Sequence, residues 1–125
     1  MYVNDHHGHW HADASAILRA ALDGPGGDVA ERLAPAGAEP LLLKARYSAF
    51  DHTALELLLG ELRADRLLLC GGATEACIVQ TGIDARELGY QVTILRDACA
   101  TVDPELEELS LRYAERVAGM VVRVA

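Results

Sequence analysis

The chain has 125 residues, 51% of them apolar and 24% charged, with 11 basic against 19 acidic side chains and a net charge of −8. That length fits a single domain, residues 1–125, able to bury roughly two-thirds of its unfolded surface, and composition this apolar excludes a disordered or collagen-like chain. The acidic balance argues against a nucleic acid or an anionic membrane as partner, because both need a positive face.

In chain order, Met1 to Asn4 reads as a short strand with no lead-in, and Asn4, Asp5, His6 and His7 stand where a secretory leader would be apolar. Ser15 to Leu22 has helical character and is stopped by Asp23-Gly24-Pro25-Gly26-Gly27, the strongest breaker in the chain. Asp28 is placed to cap a short helix, Val29 to Leu33, that ends before Pro35. Leu41-Leu42-Leu43-Lys44 is apolar until its last residue, as a buried parallel strand ending at a functional edge would be. Asp51 or Thr53 starts a helix on which Leu55, Leu58, Leu59 and Leu62 recur at helical spacing. Leu67 to Cys70 is the next strand, followed by Gly71-Gly72 and a helix from about Glu75 to Leu88 that Gly89 closes. Val92 to Leu95 is a strand, Pro104 opens the last helix at its first turn, and Met120 to Val124 is a final strand. No apolar run approaches the roughly 20 residues of a membrane span.

Strands alternating with helices, and strands apolar throughout, predict an α/β fold. Its mostly parallel, Rossmann-like sheet would be covered on both faces in three α/β/α layers. Ligands in such sheets bind at the carboxyl ends of the strands. Four places follow: Asn4-Asp5, Lys44 to Tyr47, Gly71 to Cys77, and Asp97 to Thr101.

Cys77 is the leading candidate for chemistry. It follows a strand and a Gly-Gly turn and falls at or near the first turn of a helix, where the dipole and unpaired N–H groups stabilise a thiolate. The same N–H groups can hold a developing oxyanion. The competing reading is a small buried residue in helix packing, and the pattern alone does not choose between them. Cys70, inside the apolar strand, is expected to be such a packing residue, and Cys99 to border a site. An odd count of three cysteines, without framework spacing, points to a reduced, cytoplasmic protein. Lys44 either snorkels to solvent or presents a partly desolvated ammonium that lowers the pKa of a nearby thiol. The run Asp5-His6-His7-Gly8-His9-Trp10-His11 holds four of the five histidines. Asp5 and His7 alternate so as to face one side of an extended segment, which suits a divalent metal, while short His-rich runs also serve as solvated loops. Neither Gly24-Pro25-Gly26-Gly27 nor Gly71-Gly72 has the remainder of a phosphate-binding motif.

Several segments together resemble the isochorismatase-like cysteine hydrolases. Leu43-Lys44-Ala45-Arg46-Tyr47-Ser48-Ala49-Phe50 is similar to the family's lysine motif. Gly71-Gly72-Ala73-Thr74-Glu75-Ala76-Cys77-Ile78-Val79-Gln80-Thr81-Gly82-Ile83-Asp84-Ala85, with Gly89-Tyr90 and Asp97-Ala98, resembles its nucleophile motif. Val3 to Trp10 resembles the segment that ends its second strand. The resemblance implies an Asp–Lys–Cys triad in which Cys77 attacks a carbonyl-type carbon, Lys44 lowers its pKa, and an aspartate carries the proton. It also implies oxyanion N–H groups from Ala73 and Cys77, a cis peptide at Gly72–Ala73, and a pocket drawing on Asp5, His6, Trp10, Tyr47, Phe50 and Thr74. The presence of Cys77 favours amide or related C–N hydrolysis over vinyl-ether cleavage, since the family's true isochorismatases lack this cysteine. Asp5 and His7 match positions where nicotinamidases place metal ligands, so a divalent metal is implied there and no other cofactor. The family pattern further implies a small-molecule substrate and a homo-oligomer.

One departure accompanies the match. The family's triad aspartate ends a first, central strand, and this chain is expected to begin inside the second, lacking both. The strands at Met1 to Asn4 and Leu67 to Cys70 would then pair directly or leave an open edge. Two functions follow: a hydrolase acting through Cys77, impaired by loss of the aspartate, or a non-catalytic remnant or interface protein that keeps the fold and pocket. A metal-binding module built on the histidine run is the weakest alternative.

Overall fold

The strands assemble into two parallel sheets in the computed structural model, which describes residues 1–11 and 13–125. The chain divides into two units, Met1–Ala45 and Arg46–Ala125.

The first unit contains β1 (Tyr2–Asp5), α1 (Ala14–Leu22), α2 (Gly27–Leu33) and β2 (Leu41–Lys44). β1 and β2 pair in parallel with Tyr2 opposite Leu41 and Asp5 opposite Lys44, so both strands end on a charged residue at the same level. Asp13 caps α1 by accepting the Ala16 N–H at 2.7 Å. Asp28 is not the cap of α2. The glycine breaker folds back on itself, with the Gly27 N–H donating to the Gly24 carbonyl at 3.0 Å, and the helix starts after Gly26. Asp28 therefore lies in the first turn, where its charge complements the helix dipole.

The second unit contains α3 (Leu55–Glu61), β3 (Arg66–Gly72), a π-helical turn (Thr74–Ile78), α4 (Val79–Glu87), β4 (Gln91–Ala100), α5 (Pro104–Arg116) and β5 (Val121–Arg123). Neither Asp51 nor Thr53 is the residue directly before α3. Ala54 is, although the Thr53 hydroxyl accepts the Leu55 N–H at 3.1 Å. Leu55 and Leu59 of that helix are buried, whereas Leu62 is exposed. The sheet order is β3-β4-β5, all parallel, and Leu69, Ile94 and Val122 lie in one row across it. Ile78, Val79 and Ala85 come from the turn and α4, and Leu111 and Ala114 from α5; with Val92, Ile94 and Met120 they form the core. α4 lies close to the sheet at Gly82, where a Cβ would come within 2.7 Å of the Met120 sulfur. Asp103 caps α5 by accepting the Glu105 and Leu106 N–H groups at 3.0 and 3.2 Å, with Pro104 at the first helical position.

Along β3, Leu67 and Leu69 pack on the core, while Leu68 is 58% exposed. Strand alternation puts Cys70 on the Leu68 side, so it is exposed and not a buried packing residue. β4 also runs past Leu95 to Ala100. Its ladder with β3 shifts register between Leu69 and Gly71, after which Gly71 lies opposite Cys99 and Gly72 opposite Ala100. Within its own unit, β1 forms a ladder with β2, and β3 forms one with β4.

Candidate active site

In the first unit, the strand register brings Asp5 and Lys44 side by side. Lys44 Nζ donates to Asp5 Oδ2 at 3.2 Å, with the lysine side chain 5% exposed and the aspartate 26%. Asp5 Oδ1 accepts the His7 N–H at 2.7 Å, a contact that the positive φ of His7 accompanies. Burial works against ionisation of Asp5, but the His7 N–H and the Lys44 ammonium outweigh it and hold the carboxyl below its ordinary pKa. The lysine at the end of a three-leucine strand is thus buried rather than snorkelling. His6 and Trp10 place their rings 4.3 Å apart, and the Gly8 N–H donates to His6 Nδ1 at 3.0 Å. Trp10 is mostly exposed.

These residues do not fit a divalent metal as they stand. Asp5 already has donors on both oxygens, and the His7 ring is 78% exposed with Nδ1 3.9 Å from Asp5 Oδ1. No group of three or more potential ligands is gathered among the described residues.

In the second unit, β3 leads through Gly71, with φ +115°, and a cis Gly72–Ala73 peptide into the turn that carries Cys77. The expected helix over Glu75 to Leu88 begins with this wider turn, in which the Ile78 N–H reaches the Ala73 carbonyl at 3.3 Å. Side chains on either side of it are tied to distant segments. Thr74, expected at the pocket, is fully buried, its hydroxyl 3.2 Å from the Ala100 carbonyl and 2.8 Å from Glu107 Oε1. Glu75 accepts from the Thr101 hydroxyl and from the Val102 and Asp103 N–H groups. Its own backbone N–H and these three donors prevail over desolvation and lower its pKa. Cys77 is partly exposed at the start of the 74–87 helical run. Burial pushes the Cys99 thiol up. The Gly71 N–H and the Thr74 hydroxyl pull the other way, and Cys70 and Glu107 nearby reinforce the rise.

Tyr47 and Phe50 line a shallow groove of about 660 Å³ together with Arg46, Ser48, Gln80 and Asp84; Cys77 is not part of its lining. Of the residues singled out from the sequence, Asp5, His6, His7, Trp10 and Lys44 belong to the first unit. Tyr47, Phe50, Gly72, Ala73, Thr74 and Cys77 belong to the second. Sequence reasoning missed Glu75 and Glu107 as anchors of the turn, and Thr81, whose buried hydroxyl accepts the Ala49 N–H at 3.0 Å. Their partners lie 26 to 33 residues away, so no local pattern could have marked them.

A model of the Isochorismatase domain family matches residues 2–125, and the chain belongs to that family. It is 35% identical over 117 residues to the uncharacterized isochorismatase family protein YaaI of Bacillus subtilis (strain 168), covering 94% of this chain and 65% of YaaI. It is also 35% identical over 81 residues to N-carbamoylsarcosine amidase of Arthrobacter sp, covering 65% of this chain and 31% of that protein. The crystal structure of nicotinamidase/pyrazinamidase PncA from Bacillus subtilis is similar with a TM-score of 0.72 at 28% identity, covering 98% of this chain and 72% of the other. The fold is thus the isochorismatase-like α/β fold with parallel sheets, and the chain spans less than two-thirds of the length of these curated relatives. No helix among the described residues is long and apolar enough to cross a membrane.

Proposed function

We propose that the chain carries the nucleophile of a cysteine hydrolase acting on a small amide or a related C–N bond. The observation that carries this reading is the position of Cys77: partly exposed, and on the first turn of a helical run entered through Gly71 and the Gly72–Ala73 peptide. In the reaction, Cys77 Sγ bonds to the carbonyl carbon, and backbone N–H groups of Ala73 and Cys77 hold the oxyanion. The C–N bond breaks with the thiol proton delivered to the leaving amine. Water then cleaves the thioester, releasing the acid and restoring the thiol. A substrate the size of nicotinamide or N-carbamoylsarcosine, a reduced compartment such as the cytoplasm and a homo-oligomeric assembly accord with this reading. No step is routed through a metal.

One observation favours the second reading, a non-catalytic remnant or interface protein that keeps the fold and pocket. A general base works best with a pKa near the working pH, and Asp5 is held the other way, by Lys44 and the His7 N–H. The test is ammonia release from nicotinamide and N-carbamoylsarcosine, with mass spectrometry of Cys77 after incubation. Turnover that disappears in Cys77→Ala supports the hydrolase. An acyl adduct on Cys77 without turnover supports the non-catalytic remnant. Turnover that survives Cys77→Ala, or neither adduct nor turnover, overturns the nucleophile.

A further inference from the structure

The turn that carries Cys77 is held from its opposite side. Glu75 and Cys77 are two residues apart, a spacing at which side chains leave a helical turn in different directions. The Glu75 carboxylate spans to the segment linking β4 to α5. Oε1 accepts the Val102 N–H at 3.0 Å and the Asp103 N–H at 3.1 Å, and Oε2 accepts the Thr101 hydroxyl at 3.0 Å. Thr101 Oγ1 also accepts the Asp103 N–H at 3.0 Å, and Asp103 caps α5 through Glu105 and Leu106. One carboxylate therefore joins the turn, the end of β4 and the start of α5 in a single hydrogen-bonded body. Three donors from residues 101–103 converge on it and take up most of the acceptor sites of an ionised carboxylate.

We propose that Glu75 is a positioning residue for Cys77. Its carboxylate fixes the 74–78 turn against residues 101–103, and so sets the direction in which Cys77 Sγ and the neighbouring N–H groups meet an acyl carbon. This rests on the reading of Cys77 as the nucleophile. Two other roles predict different outcomes. If Glu75 acted only by its charge, it would disfavour a thiolate two residues away, and removing the charge would speed alkylation. If it only stabilised the fold, its loss would lower the melting temperature and leave the relative reactivity of the cysteines unchanged.

The experiment measures second-order rates of iodoacetamide labelling at Cys77, Cys99 and Cys70 by peptide mass spectrometry on the full chain. Labelling runs from about pH 6 to about pH 9, across the ordinary thiol range, with exposed Cys70 as the reference in every sample. In Glu75→Ala the Cys77-to-Cys70 rate ratio is expected to fall about tenfold, since small misplacements of a reacting group cost up to about a hundredfold. Glu75→Gln keeps an acceptor oxygen but weakens charge-assisted bonds, and Thr101→Val removes one donor; each is expected to lower the ratio about threefold. If Glu75→Ala does not fold, as judged by circular dichroism, the other two variants decide. An unchanged or raised ratio in Glu75→Gln and Thr101→Val overturns the role of Glu75 while a fast wild-type Cys77 leaves the nucleophile standing. A wild-type Cys77 no faster than Cys99 overturns both.

Discussion

The Asp5–Lys44 pair makes a quantitative claim about the first unit. Truncating one partner of a buried ion pair costs about 3–5 kcal/mol, and a hydrogen bond to a charged group contributes about 1.5–3. The Lys44 side chain is 5% exposed but Asp5 is 26% exposed, so water partly compensates on the aspartate side. Asp5→Ala is therefore expected to cost about 2–3 kcal/mol, and Asp5→Asn, which keeps an oxygen for Nζ, about half as much. With a urea m-value of about 1.5 kcal/mol per molar, the Asp5→Ala loss moves the midpoint down by about 1.3–2 M. The one tryptophan, Trp10, lies in the same unit and gives a fluorescence signal for its unfolding. Because the pKa of Asp5 is lowered in the folded state, its contribution is fully present above the ordinary value of 3.8 and is lost as pH falls through the depressed one. The gap between wild type and Asp5→Asn should accordingly close on acidification. Adding Lys44→Met to Asp5→Ala removes the buried charge as well, and the double variant should be more stable than Asp5→Ala alone. An Asp5→Ala midpoint within about 0.3 M of wild type, or a double variant less stable than the single, would refute the pair as a coupled buried unit.

Three further outcomes check the second unit. Ile94→Ala, at a fully buried position in the middle strand, should cost about 2–5 kcal/mol in urea unfolding, whereas Leu68→Ala, 58% exposed one strand over, should cost under about 1 kcal/mol; equal costs would contradict the placement of Ile94 inside the core and Leu68 outside it. Cys99, whose thiol is raised by burial, should label with iodoacetamide more slowly than exposed Cys70 at neutral pH, and a faster Cys99 would contradict the assigned burial. Gly89→Ala should destabilise by about 1 kcal/mol or more, read as a lower melting temperature, because φ is +94° there and a Cβ is strained whatever the space; no change would argue against the left-handed turn after α4.

Local chemistry made much of this fold legible. The Leu41–Lys44 strand, the stop at Gly89 and the Pro104 helix start depend on apolar runs, a positive φ and a restrained φ, all properties of a few adjacent residues. The paired lysine and cysteine motifs likewise identified the family from residue types and spacing, and the family match over residues 2–125 agrees. Asp28 shows where local reading fails: a good capping residue was displaced by a glycine turn that closed one step earlier. Cys70 fails for another reason. An apolar run does not reveal which of its residues face the core, and only the packing of α4 and α5 on the Leu67–Leu69 side decided it.

The sequence by itself determined the order of strands and helices, the family and the candidate nucleophile, because periodicity, turn chemistry and motif spacing are written in neighbouring residues. Tertiary structure alone decided that Lys44 is buried against Asp5, 39 residues away, and that Thr74 and Glu75 anchor the Cys77 turn to Ala100, Glu107 and residues 101–103. The physical reason is common to both cases. A buried charge or hydroxyl must find a partner wherever the sheet register and the helix ends bring one, and that choice depends on the ladder between strands rather than on any stretch of chain read alone.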